Sequence, residues 1–245
     1  GIGSPYNSSG NNSVVWAWDA GSSTVSNTDG TITSTVRANA TAGFSIITYT
    51  GNGSANQTIG HGLNSKPSLI IIKSRDNARN WVVIPTFIND KYFFYLNDTS
   101  DLLTGLTVYY GNHTSSVVGI TGSSSGSNSN ASGENYLCYA FAPVAGYSAF
   151  GSYTGNGSTD GPFIYTGFRP SLVVIKRTDG ANDWNAQDYK RTVYNGQLTT
   201  SLQWNTASSE STIGTDYRRD MLSNGFKIRN TGTETNASGG TYIYL

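Results

Sequence analysis

"YTGNGS" stands at residues 49–54 and returns letter for letter at 153–158. Each copy is followed by a Pro-Ser step, an aliphatic run and a lysine: "KPSLIIIK" at 66–73 and "RPSLVVIK" at 169–176. The offset is 104 for the first phrase (49 to 153) and 103 for the second (66 to 169). Trp81 and Trp184 keep the offset of 103, and "NASGENYL" (130–137) matches "NASGGTYI" (236–243) at 106. Anchors in one order at nearly one spacing identify an internal duplication. A unit of about 100 residues is too long for a solenoid or propeller repeat. The spacing therefore predicts a leader over 1–43, one β unit over 44–146 and a second over 147–245.

Inside each unit the local signal is β. "SLIIIK" and "SLVVIK" are short runs rich in β-branched residues, the pattern of strands buried on both faces. Seven polar residues follow each run, "SRDNARN" (74–80) and "RTDGAND" (177–183), before a Trp and another strand; this is a hairpin with a long loop. "KYFFYL" (91–96), "LTVYY" (106–110), "SSVVGI" (115–120) and "NYLCYAFA" (135–142) add strands to the first unit. "SLQW" (201–204) and "GFKIR" (225–229) add them to the second, with "SNGF" (223–226) as a tight turn. In the leader, "VVWAWDAG" (14–21) alternates like a strand, and "TDGT" marks a turn between two Thr/Ser/Val stretches. "STIGTDYRRDMLSNG" (211–225) is the best helix candidate. The fold class expected is all-β, a β-sandwich of jelly-roll or lectin-like type with two homologous units.

Composition narrows the partners. Of 245 residues only 12% are charged, 15 Lys and Arg against 15 Asp and Glu, so polarity comes from hydroxyls and amides. Phosphate binding needs a basic surplus on one face, yet Phe93 to Phe168 contains no Lys or Arg. Nucleic acid is thereby disfavoured, and no apolar run reaches the ~18–20 residues of a membrane helix. The single cysteine, Cys138, reads as a small buried hydrophobe.

Catalytic chemistry is thinly supplied. Asp183 and Asp188 are near in sequence, but the corresponding residues of the first unit are Asn80 and Pro85; such acids more often cap turns or pair with Arg177 and Arg191. His61 and His113 lie away from any nucleophile-elbow sequence, and two His with one Cys leave zinc few ligands. The sequence points to a non-enzyme without a cofactor; a structural Ca²⁺ would draw on "NGSTDGP" (156–162). Binding chemistry is better provided. Sugars stack their C–H faces on aromatic rings while amides and carboxylates hold the hydroxyls. Trp81 with Asn80 and Asp76, and Trp184 with Asp183 and Asp179, form one such constellation, although a Trp heading a strand usually packs inward. Tyr109, Tyr110 and Trp204 are alternative platforms.

Whole phrases resemble a recurrent domain of phage tail-fibre and virion-appendage proteins, abundant in marine and cyanobacterial phages. They are "SNTDGTITSTVRANATAGFSIITYTGNGS" (26–54), "IGHGLNSKPSLIIIKSR" (59–75), "FGSYTGNGSTDGPFIYTGFRPSLVVIKRTD" (150–179) and "MLSNGFKIRNTG" (221–232). The resemblance implies a virion-surface protein, made in the host cytoplasm and commonly a homotrimer. It would contact other virion proteins and bind host-surface glycan or protein. It transfers no catalytic residue. A secreted lectin-like carbohydrate-binding module and a purely structural decoration or filament subunit are the alternatives.

Overall fold

The computed structural model describes residues 9–10, 12–104, 111–122, 128–191, 195, 200–212 and 217–245. Its first half contains β1 (Val25–Asn27), β2 (Ser34–Asn39), β3 (Phe44–Thr50), β4 (Gln57–Gly60), β5 (Leu69–Ser74), β6 (Val82–Pro85), β7 (Phe94–Tyr95), β8 (Val117–Ile120) and β9 (Asn135–Phe141). The second contains β10 (Gly151–Thr154), β11 (Phe163–Tyr165), β12 (Leu172–Arg177), β13 (Asn185–Asp188), β14 (Thr200–Gln203), β15 (Ser211–Thr212), β16 (Arg219–Leu222), β17 (Gly225–Ile228) and β18 (Thr241–Tyr244), with one helical turn, α1 (Thr233–Asn236). The chain is an all-β sandwich of antiparallel sheets.

Two large sheets carry the fold. One runs β1-β2-β3-β9-β5-β6-β7 and the other β10-β18-β12-β13-β14-β15. Five consecutive strands of the first, β3-β9-β5-β6-β7, follow the same chain path as β10-β18-β12-β13-β14 in the second. Each large sheet is covered on its outer face by a small one, β4-β8 or β11-β17-β16.

The alternation of side chains across a strand explains why the aliphatic runs carry no polar residues. On β5, Ile70 and Ile72 enter an outer core with Ile59 of β4 and Val118 and Ile120 of β8. Leu69 and Ile71, on the opposite face, enter a second core with Val174, Trp184, Ala186 and Ile243 of the other large sheet. On β12, Val173 and Ile175 likewise turn outward to Phe226 and Ile228 of β17. The result is four stacked β layers, with the two large sheets face to face in the middle. Hydrogen bonds stitch that central contact: Trp184 Nε1 donates to the Tyr95 carbonyl at 3.1 Å, Leu102 N to that of Thr178 at 3.0 Å, and Lys176 Nζ to that of Thr99 at 3.1 Å.

"TGNGS" forms the same clasp in both places. A side chain on Gly51 or Gly155 would run into a backbone oxygen, Ala131 O at 2.3 Å or Ala237 O at 2.4 Å. The second glycine of each copy sits at positive φ, 74° at Gly53 and 66° at Gly157, where other residues are strained. One glycine admits a neighbouring strand end and the other makes the turn.

Three expectations change. Residues 14–21 form no strand: they cross the molecule as an extended strap, because their alternate Trp16 and Trp18 find aromatic partners instead of a ladder. The rest of the leader packs on the first unit: β2 pairs with β3, and β1–β2 widen the first large sheet. The described residues of 211–225 are strand and turn in place of the expected helix: β15 and β16 lie within them, and β16 turns into β17. That turn uses Ser223 and Asn224, while Gly225 already pairs with Leu222. Gly225 is needed for close approach, since a Cβ there would meet Ile164 O at 2.1 Å.

Candidate functional site: an aromatic cleft between the sheets

Where the central layer opens to solvent, a cleft of about 940 Å³ is bounded by both halves and by the strap. Phe44, Trp81, Tyr139 and Phe141 line it from the first half, Phe168, Trp204 and Tyr244 from the second, and Phe150 from the connection between them. The rings pack on one another: Phe44 and Phe141 centroids are 4.7 Å apart, and Trp18 meets Phe141 edge-on at 5.9 Å. Strands β3 and β9 put Phe44 opposite Phe141 in register, so pairing sets these two rings side by side. Polar groups are few. Asn97, Ser148, Thr166, Ser171 and Arg169 are the main ones, and no described lining residue is an acid, His or Cys. The Arg169 guanidinium stacks over Tyr189 at 5.1 Å.

The two strand-heading tryptophans are held alike but used differently. Trp81 N donates to Asn97 Oδ1 at 2.8 Å and Trp184 N to Asn205 Oδ1 at 2.9 Å. Those asparagines donate in turn to Asn80 Oδ1 at 2.9 Å and Asp183 Oδ1 at 2.6 Å. Asn80 and Asp183 thus brace the backbone of the adjacent Trp. Trp184 is completely buried against Phe94, with ring centroids 5.5 Å apart. Trp81 stays partly exposed in the cleft wall with Trp204. Of the sequence candidates among the described residues, then, only Trp81 and Trp204 line the cleft.

Asp76 and Asp179 are loop staples. Asp76 Oδ2 accepts from Asn135 N at 2.7 Å and Asn135 Nδ2 at 3.0 Å. Asp179 Oδ1 accepts from Arg177 Nε at 2.7 Å, and desolvation is outweighed by that bond and a backbone donor, so its pKa falls below the usual value. Asp188 is tied to Arg191 at 2.6 Å. Tyr109 and Tyr110 lie outside the described residues. In the calcium candidate, Asp160 is engaged by Lys227 at 2.8 Å and Arg229 at 3.3 Å. Among the described residues no cluster of three or more His, Cys, Asp and Glu is placed to hold a metal.

Both histidines are built into the scaffold. His113 Nδ1 accepts from Gly119 N at 3.2 Å, with Nε2 3.3 Å from the Asp90 carbonyl. Leu63 N donates to His61 Nδ1 at 3.1 Å, with His61 Nε2 3.3 Å from the Thr114 carbonyl. Burial lowers both pKa values, that of His113 to about 4.

Sequence reasoning missed Trp16, Trp18, Tyr139, Phe141, Phe168 and Arg169. The last four read as strand core or turn residues, and nothing local marks which face of a strand borders an opening. The Trp16/Trp18 alternation was visible as a strand signal and was in fact the signature of the strap.

The chain belongs to the family described as a domain of unknown function (DUF7483), whose model matches residues 2–245. No curated protein and no solved structure matches it.

Proposed function

We propose that this member of the DUF7483 family is a non-enzymatic binding protein of a virion surface, built from a duplicated β unit. It would be a tail fibre or receptor-binding part that holds host-surface glycan in the aromatic cleft. The observation that carries the reading is the cleft itself: rings from both halves converge on one opening that stays accessible. Its shape and lining suit a ligand with both apolar C–H faces and hydroxyls. The virion context rests on the resemblance of the repeated phrases to phage appendage domains. Among the described lining residues there is no pair of side-chain carboxylates for glycoside hydrolysis, which favours retention of a ligand over its cleavage.

A glycan array followed by calorimetry on the hits tests the reading. Binding by the native protein that Trp81→Ala abolishes while the variant still melts cooperatively within a few degrees of the native protein supports it. Absence of binding to glycans and to host cells would leave a structural virion subunit as the better account. Native mass spectrometry adds the assembly state, for which a homotrimer is expected.

A further inference from the structure

Over residues 14–18 the strap meets the body through two rings, Trp16 and Trp18, while its far end is anchored by Asn39 Nδ2, which donates to Asp19 Oδ2 at 3.1 Å. Residues 14–18 make no backbone–backbone hydrogen bond among the described residues. Val14, Val15 and Trp18 are 39%, 69% and 41% exposed, yet Trp16 is tucked against Trp204 with centroids 5.8 Å apart. Around that contact two donors are stranded. Trp204 Nε1 and Arg191 Nη2 are both buried without a hydrogen-bond partner, and the Arg191 guanidinium lies 6.0 Å from the Trp16 ring. Trp16, beside both side chains, has only an N–H and so offers neither donor an acceptor.

We infer that Trp204 is the platform of a saccharide subsite, which Trp16 of the strap fills until a ligand displaces it. The inference rests on the cleft being a glycan site. A pyranose ring replacing the indole would keep the stacking on Trp204. Its hydroxyl oxygens would add acceptors for the two stranded donors, whose unmet bonds weigh against the closed arrangement. That difference in contacts between the two occupants is what allows a ligand to shift the strap. The subsite also selects for charge. Arg191 is already matched by Asp188 at 2.6 Å and by Glu210, so it can donate to a hydroxyl but has no positive charge left over for a carboxylate. The sugar preferred at this subsite is therefore uncharged.

The test titrates neutral and uronic-acid oligosaccharides into the native protein, Trp16→Ala, Trp204→Ala and Trp204→Phe, with melting temperature as the folding check. Trp16→Ala is expected to tighten neutral-sugar binding roughly tenfold, since removing the competing ring frees the platform. Trp204→Ala should weaken it at least about tenfold, and Trp204→Phe should fall between, keeping a ring but losing the N–H donor. Tryptophan emission of the native protein should shift to the red as Trp16 enters water. Weaker binding on Trp16→Ala would make Trp16 part of the platform and overturn the plug. Binding unchanged by every Trp16 and Trp204 variant would overturn the subsite while leaving the cleft reading in place. Tighter binding of uronic acids would overturn the charge preference. No binding by any of the proteins would refute the glycan reading and this inference together.

Discussion

Asn130 and Asn52 exchange amide hydrogen bonds: Asn52 N donates to Asn130 Oδ1 at 2.9 Å, and Asn130 Nδ2 returns the bond to Asn52 Oδ1 at 3.1 Å. Asn236 and Asn156 repeat the exchange at 2.9 and 3.2 Å. Beside each pair two tyrosines stack, Tyr49 on Tyr136 at 5.3 Å and Tyr153 on Tyr242 at 5.0 Å. The clasp joins the end of β3 or β10 to the turn before the strand it pairs with, β9 or β18.

The two members of each clasp should differ in their effect on stability. Asn130 and Asn236 are fully buried, while Asn52 and Asn156 are exposed. Asn236 Nδ2 also serves the carbonyls of Ser158 and Asn230. Asn130→Ala or Asn236→Ala should cost about 3 kcal/mol by leaving buried backbone groups unmet, and Asn52→Ala or Asn156→Ala about 1 kcal/mol. Urea denaturation gives the ranking, and glycan affinity should be unchanged in all four.

The two strand-heading tryptophans should separate stability from binding. Trp184→Ala removes the largest ring of the central core and should destabilise by about 3–5 kcal/mol. Trp81→Ala, at a partly exposed position, should cost about 1 kcal/mol or less while removing ligand affinity. Thermal melts beside calorimetric titrations distinguish the two.

Acid should weaken the fold in a defined window. His113 is bound as a neutral ring, and burial depresses its folded pKa to about 4 from an ordinary 6.5. Its contribution is therefore complete above pH 6.5 and lost as pH falls from there toward 4, up to about 3 kcal/mol. His61 shifts in the same direction. Below that window Glu134 follows: hydrogen bonds from Arg79, at 2.7 Å, hold its carboxyl at about 2 against 4.5, so its contribution disappears between those values. Urea midpoints measured from pH 7.5 to 3 should show this decline, and His113→Gln should flatten its upper part.

Cys138 should be chemically silent. Its thiol is fully buried in the outer core of the first sheet, and burial pushes its pKa up, which removes the reactive thiolate. A colourimetric thiol reagent should find no group in the native protein and one in urea.

Much of the strand inventory was legible because its signals are local. Two aliphatic runs without polar residues meant strands covered on both faces, and polar loops ending in Trp meant long hairpins. The pairing of Asp188 with Arg191 also followed from short spacing, whereas Arg177 pairs with Asp179 and not with Asp183. The helix expected at 211–225 failed because periodicity there competed with hairpin pairing between β16 and β17, which only a neighbouring strand can provide. The strap failed for the converse reason: Val14, Trp16 and Trp18 alternate like a strand but have no partner edge.

By itself the sequence determined the β class, the repeated phrases and the clasp turn, since a positive φ beside a Cα pressed on a backbone oxygen is a combination that glycine meets without strain. Which faces meet was decided only in three dimensions. "LIIIK" and "LVVIK" say that both faces of β5 and β12 are buried, but not that one face of each is buried against the other. That contact puts Trp184 in the dark and leaves its counterpart Trp81 beside an opening. Equivalent letters acquire different roles because burial depends on what the rest of the chain brings to the surface.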